Sequence, residues 1–177
     1  MYYELIPANP ANLVLHLIYD ETSPSYLLFR KGVYYSEINH RPLLYMNKNI
    51  SNFEQYDFLE SGNGPFLVSP KLAMILDEIA KDDVQLIDAD IKINDEVLGG
   101  YKIPNIITVI SCLDTQNASY QKTSTGITIL KMKCIDNSLG NHKIVRMKED
   151  IGTIIVNGDI VNSCKKNKVK GIKFFPC

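Results

Sequence analysis

The sequence lacks most of the features that mark enzymes, membrane proteins and nucleic-acid-binding proteins. Its 177 residues contain no tryptophan, no Walker loop, no GxGxxG motif after a strand, no HExxH or GxSxG motif and no EF-hand loop. The longest apolar runs, residues 13–19 and 103–113, are well short of the ~20 residues that a membrane helix needs. The net charge is −1, from 19 basic and 20 acidic residues. We therefore expect no membrane and no nucleic acid as a partner.

Metal-binding and redox residues are also sparse. The histidines stand alone and the cysteines form no CxxC pair: His16, His40, His142, Cys112, Cys134, Cys164 and Cys177. Because no cluster has the spacing of a ligand set, we expect no metal and no cofactor. The start of the chain, MYYELIPANP, has no basic segment before an apolar one, so we expect no secretory signal and a cytoplasmic location. In that reducing compartment the cysteines are expected to be small buried apolar residues.

The chain does contain enough apolar residues for one globular domain, since 45% of its residues are hydrophobic. We expect a single domain over residues 1–177, with a strand-rich amino-terminal part (1–60) and a core (61–177). Three aliphatic or aromatic runs in the first part are bounded by turn residues and predict strands, with helices as the alternative for runs this short. They are residues 13–19, 26–29 and 43–46.

Two segments predict a strand, a helix and a second strand in that order. In residues 66–91 a short apolar run is followed by Ser69, a good N-cap, and by Pro70, which fits the first helical position. The next apolar residues share one helical face: Leu72, Ile75, Leu76 and Ile79. Residues 154–176 repeat the pattern at a shift of 88 positions, with Asn157 in the place of Ser69. We expect Ser69 and Asn157 each to cap a helix that packs on a sheet.

Between these units lie three stretches rich in β-branched residues, at 101–113, 126–135 and 142–148. Their alternating or continuous apolar pattern predicts an antiparallel sheet. The expected fold class is therefore α+β, with a strand-rich mixed or antiparallel sheet and the two strand–helix–strand units.

Charge is distributed unevenly along the chain. Residues 54–96 carry a balance of −8, and residues 142–177 carry a balance of +5. Four acids follow the apolar face of the first predicted helix at its carboxyl end: Asp77, Glu78, Asp82 and Asp83. The helix dipole disfavours exposed acids there by ~0.3–1 kcal/mol each. They indicate either a solvated face or an acidic patch that serves a basic partner.

Several short motifs, in their order along the chain, resemble the signature of a bacterial immunity-protein family. This is the eleventh numbered immunity family attached to polymorphic toxins, formerly a domain of unknown function. The family pattern has a DFL step, an LVSxxL strand and helix, a DVxF-like strand, a glycine–tyrosine step and a closing GIxF strand. The matching segments are 57–59, 67–72, 83–86, 99–101 and 171–174. The second cap departs from the pattern, since Asn157-Gly158 stands where the family has serine and a bulky residue.

The resemblance implies an immunity protein that binds and neutralises a cognate toxin domain, without catalysis. The toxin's identity does not transfer, because such families are paired with many toxin activities. We expect the toxin to contact the acidic patch of Asp77, Glu78, Asp82 and Asp83. Two other functions stay open. One is a small hydrolase with Cys134 as nucleophile and His142 as base, and the other is an adaptor without a toxin partner.

Overall fold

The computed structural model describes residues 1–47, 50, 52–124 and 126–177. Three α-helices are present in the described chain: α1 (Ala11–His16), α2 (Pro70–Ala80) and α3 (Gly158–Lys166). Two 3-10 turns cover Tyr26–Arg30 and Phe53–Gln55. The strands are β1 (Tyr2–Pro7), β2 (Leu17–Tyr19), β3 (Leu43–Met46), β4 (Phe58–Leu59), β5 (Leu67–Val68), β6 (Val84–Ile93), β7 (Glu96–Ile106), β8 (Val109–Ile110), β9 (Ser119–Thr123), β10 (Gly126–Lys131), β11 (Ile144–Met147), β12 (Ile154–Asn157) and β13 (Ile172–Pro176).

The strands form two mixed sheets and one hairpin. The six-stranded sheet has the order β2-β3-β6-β7-β5-β4, and the five-stranded sheet has the order β13-β1-β12-β11-β8. Strands β9 and β10 pair only with each other among the described residues. The predicted α+β class with mixed sheets is confirmed.

Both predicted strand–helix–strand units are present and share one topology. Strands β5 and β6 are each antiparallel to β7, which lies between them, and α2 connects them. In the same way β12 and β13 are each antiparallel to β1, and α3 connects them. Each unit is therefore a split β-α-β motif, with the middle strand supplied from elsewhere in the chain.

The two predicted caps begin the two helices. The Ser69 hydroxyl accepts a hydrogen bond from Leu72 N at 3.3 Å, and Pro70 follows it at the first helical position. The Asn157 side chain accepts from the backbone N–H groups of Asp159 and Ile160 at 3.0 and 3.3 Å. Both caps are confirmed.

Helices α2 and α3 lie side by side in opposite directions, and their apolar faces share one core with both sheets. The start of α2 meets the end of α3, where Lys71 Nζ lies 3.5 Å from Lys168 O. At the other end, Asp83 contacts Lys143 N, and Lys143 O accepts from Asn157 N. Because the helices are antiparallel, charged residues at the end of α2 lie near the start of α3, and those at the end of α3 lie near the start of α2.

Two predicted strands near the amino terminus are wrong. Residues 11–16 form α1, and only residues 17–19 of the run 13–19 form a strand. Leu13 and Leu17 are buried while Leu15 is exposed, so burial recurs with helical rather than strand spacing. Residues 26–30 form a 3-10 turn whose carbonyls bond to side chains, since Leu28 O accepts from Tyr35 Oη. The third run, 43–46, is a strand as predicted.

The three central stretches do not share one sheet, as the sequence had suggested. Strand β7 lies in the six-stranded sheet, β10 in the hairpin and β11 in the five-stranded sheet. The spacing of apolar residues indicates which face of a strand is buried, but it does not indicate which strand lies beside it. The sheet to which each stretch belongs therefore could not be predicted from the apolar pattern. Strand β1 has a central position between β12 and β13, so the first residues of the chain are part of the five-stranded sheet.

Candidate protein-binding site

The carboxyl end of α2 presents three exposed acids. Asp77, Glu78 and Asp82 are exposed, and none of them forms an ion pair with another described residue. The last turn of α2 contains no basic residue, and the exposed Lys81 follows it as the C-cap. Their charges therefore face solvent at the end of the helix where the backbone dipole is also negative.

Asp83 does not belong to that exposed surface, although the sequence grouped it there. Its side chain is 2% exposed and accepts three hydrogen bonds. Its carboxylate accepts from Thr108 Oγ1 at 2.8 Å and from Lys143 N at 2.7 Å, and it pairs with His142 Nδ1 at 2.5 Å. Asp83 is thus occupied in joining the α2–β6 turn to the end of β7 and the start of β11. We call the remaining three residues, Asp77, Glu78 and Asp82, the acidic end of α2.

Three other acids in the −8 segment form ion pairs within the fold. Three pairs lie at 2.8, 2.5 and 3.0 Å: Asp57 with Lys71, Asp88 with Lys102, and Asp90 with Arg41. The hydrogen bond from Lys102 holds the pKa of Asp88 below its usual range. The segment's charge is therefore concentrated at fewer places than the sequence count indicates, and the acidic end of α2 is one of them.

The opposite end of the helix pair is basic. Exposed lysines follow one another from the last turn of α3 to β13: Lys165, Lys166, Lys168, Lys170 and Lys173. The antiparallel packing puts these cations at the far end of the layer from Asp77, Glu78 and Asp82. The charge asymmetry of the sequence is thus a dipole along the two helices.

Asp57 is a buried aspartate whose role the sequence motif did not reveal. Its carboxylate accepts from Ser69 Oγ at 2.8 Å and from Lys170 N at 2.9 Å. Its backbone N–H donates to Lys170 O, and its carbonyl accepts from Ser69 N. The DFL and LVS motifs and Lys170, the residue before the GIKF motif, therefore meet at one carboxylate, which links the first unit to the start of β13.

A buried arginine was also missed. Arg146 is 4% exposed and donates to Phe29 O and Ile151 O, both at 2.9 Å. Burial, with a smaller contribution from the charge of Arg30, lowers its pKa to about 10. It ties the 26–30 turn to β11. A lone arginine in the apolar strand IVRM was the only signal for it.

The cysteines differ from expectation at two positions. Cys112 and Cys164 are buried free thiols, and burial raises the pKa of each to about 12. Cys134 and Cys177 form a disulfide with a Cα–Cα distance of 5.1 Å. The residues proposed for a hydrolase are therefore both engaged, Cys134 with Cys177 and His142 with Asp83. Sequence separation could not predict the disulfide, because the β1–β13 pairing is what carries Cys177 into this region.

No group of three or more His, Cys, Asp or Glu side chains in the described chain is arranged to hold a metal ion. Among the same residues, no helix has both the length and the apolar character needed to cross a membrane.

Comparison with known proteins places the chain in a family. A search of curated proteins gave no significant match. The family model for the immunity protein family Imm11 matches residues 17–177, which is nearly the whole chain. The match includes both helices with the strands that they connect, and the residues that contact Asp57 and Asp83, but not β1. The chain therefore belongs to the Imm11 family of immunity proteins.

Proposed function

We propose that this protein binds a cognate toxin domain directly, blocks its activity without catalysis, and so protects the cell that makes it. Membership of an immunity family supports the protective role. The observation that supports direct binding is the acidic end of α2, whose three carboxylates form no ion pair with another described residue and oppose the helix dipole. Charges that do not serve the fold are available to a partner.

We propose that the toxin surface facing Asp77, Glu78 and Asp82 is basic. A basic surface is typical of proteins that act on nucleic acids, and a nuclease toxin would suit this site. Charge complementarity of this kind accelerates association and excludes wrong partners more than it adds affinity. Tight one-to-one binding also needs about 800 Å² of buried surface on each partner, so neighbouring apolar side chains must contribute. Met74 is exposed on α2 and is a candidate for such a contact.

The action proposed here is cytoplasmic and independent of Cys134 and His142. Replacing both disulfide cysteines with serine, or His142 with alanine, should leave protection intact. In the oxidised protein the first change removes a cross-link and should cost ~2–4 kcal/mol of stability, whereas in a reducing cytoplasm it should cost little. Replacing His142 with alanine leaves the Asp83 carboxylate with two of its three hydrogen-bond donors and should lower the free energy of unfolding by ~1–3 kcal/mol. Loss of protection by a variant that still folds and still binds toxin would favour the hydrolase instead.

The direct test starts from the genes that flank the gene for this protein, where we expect a gene that encodes the cognate toxin domain. The toxin domain is expressed in a sensitive bacterium with and without this protein, and the two proteins are then purified together. Restored growth and a stoichiometric complex on gel filtration are expected. Growth that is restored with no detectable complex would contradict neutralisation by binding. A complex that gives no protection would identify an adaptor.

A further inference from the structure

A second surface of this chain has the form of a docking groove. The groove has a volume of about 530 Å³ and lies between the end of α3 and strand β13. Lys165 and Lys168 line one wall, and residues of β13 line the other. Phe175 on that strand is 49% exposed, which is unusual for a large aromatic side chain.

Strand β13 is the edge of the five-stranded sheet, and in the described chain it pairs only with β1. Gly171 O accepts from Ala8 N, and Cys177 N donates to Tyr2 O. In an antiparallel pair, alternate residues bond to the neighbour, so Lys173 and Phe175 also face β1. The backbone N–H and C=O groups of Ile172 and Phe174 consequently point away from the sheet.

The groove borders this free edge. Four successive residues of β13, from Ile172 to Phe175, line it. Its lining also includes Tyr3 of β1 and Val161 and Cys164 of α3, so the groove lies on the α3 side of the sheet and opens beside the edge strand. Pro176, the next outward-facing residue, has no N–H to offer. Only Ile172 and Phe174 can therefore offer both an N–H and a C=O to an added strand. This limits the registers in which such a strand can pair with β13.

The charge of the groove selects the partner. Lys165, Lys168 and Lys173 line it, and no aspartate or glutamate is among its described lining residues. Apolar contacts are supplied by Val169, Ile172 and Phe175. An occupant must therefore be extended, acidic and partly apolar, with its acids placed against the three lysines.

We propose that this groove binds an acidic, extended segment of a partner protein, which adds to the five-stranded sheet as a strand beside β13. Main-chain bonds to Ile172 and Phe174 would supply the register, and the lysines and Phe175 would supply selectivity. This surface lies at the opposite end of the helix pair from Asp77, Glu78 and Asp82. The proposal does not depend on the toxin-binding role of the acidic end.

The test uses a blocked synthetic peptide of alternating glutamate and valine. Its binding is followed by amide hydrogen exchange and by titration of backbone NMR signals in the full-length protein. Exchange at the Ile172 and Phe174 amides should slow by at least about tenfold on binding. The Lys173 and Phe175 amides already bond to β1, so their exchange should change little and they serve as internal controls.

Matched variants separate specific binding from general attraction. Lys165→Glu/Lys168→Glu/Lys173→Glu should weaken peptide affinity by at least about tenfold. Reversal of the same number of exposed lysines on or beside the β9–β10 hairpin, Lys122→Glu/Lys131→Glu/Lys133→Glu, should have little effect. A peptide with proline in place of valine keeps the charge but cannot form a strand, and it should bind at least about tenfold more weakly.

Three results would overturn the proposal. One is equal affinity for the valine and proline peptides, and another is equal loss in the two lysine variants. The third is displacement of the peptide by a single-stranded oligonucleotide of equal charge at the same concentration, because this would mark the groove as a general anion site.

Toxin binding that survives reversal of the groove lysines would leave both proposals standing. Toxin binding lost on reversal of the acids, with peptide binding unchanged, would separate the two surfaces.

Discussion

Two buried aspartates and three exposed acids have different roles in this protein. Asp57 and Asp83 each accept several hydrogen bonds from chain segments distant in sequence. The exposed acids Asp77, Glu78 and Asp82 have no ion-pair partner in the described chain. The motif residues that mark the family are therefore part of the scaffold. The surface that we propose for the partner is formed by residues outside those motifs.

Gly171 shows how strictly one such motif is constrained. Its φ is +95°, and a Cβ atom added there would lie 2.2 Å from Phe58 O. Gly171→Ala should therefore lower the free energy of unfolding by about 3 kcal/mol or more, since backbone strain and a clash with main chain combine.

The matched control is Gly158→Ala at the start of α3, where φ is not positive and no atom lies within 4 Å of the added Cβ. This change should be neutral or stabilising by up to ~1 kcal/mol. Urea unfolding of both variants compares them. Similar stabilities would contradict the close packing of Gly171 on Phe58.

At the scale of the element, the two helix caps should differ in strength. Asn157→Ala removes a partly buried cap and should cost about 1 kcal/mol. Ser69→Ala removes a cap and also the bond that Ser69 Oγ donates to the buried Asp57 carboxylate, so it should cost about 2–3 kcal/mol. Thermal unfolding followed by circular dichroism measures both. Equal losses would show that the Ser69–Asp57 bond contributes nothing net.

Elements with strong local signals were predictable, and their partners were not. The caps at Ser69 and Asn157 and the apolar face of α2 are local, and the helices begin where the sequence predicts. The run 26–29 was misread because its carbonyl groups bond to Tyr35 and Arg146, residues distant along the chain or in a different element. Insertion of β1 between β12 and β13 is likewise a long-range pairing that no window of sequence contains.

The candidate site was predictable only in part. Helical spacing correctly put Asp77, Glu78 and Asp82 near the carboxyl end of an exposed helix. Asp83 looked the same in sequence, but it lies one residue later, where the chain turns inward toward Thr108 and Lys143. The groove beside β13 had no sequence signal, because it exists only where α3 meets a sheet edge.

On the scale of the whole molecule, the amino-terminal residues are part of the structure that joins the two units. Leu5 on β1 is 9% exposed and packs in the core shared by both helices. Leu5→Ala should cost about 2–4 kcal/mol, with a single unfolding transition. Leu15→Ala is the control, because Leu15 is 68% exposed and should contribute almost nothing. A separate, early transition for residues 1–60 would contradict one cooperative domain.

The whole molecule also carries its charge as a dipole along the helix pair, with acids at one end and lysines at the other. A basic toxin approaching this field should associate faster at low ionic strength and more slowly as salt is raised. Reversal of the acids removes that attraction without harming the fold, because lysine at the carboxyl end of α2 suits the helix dipole.

The measurement that bears most directly on the proposed function is a calorimetric titration of the toxin domain at low salt. The wild type is compared with Asp77→Lys/Glu78→Lys/Asp82→Lys. The matched control is Glu21→Lys/Glu37→Lys/Asp136→Lys, which reverses three exposed acids elsewhere on the surface. We expect the first variant to bind at least about tenfold more weakly, with an unchanged or higher melting temperature, and the control to bind as the wild type does. Equal affinity of all three proteins would contradict binding through the acidic end of α2.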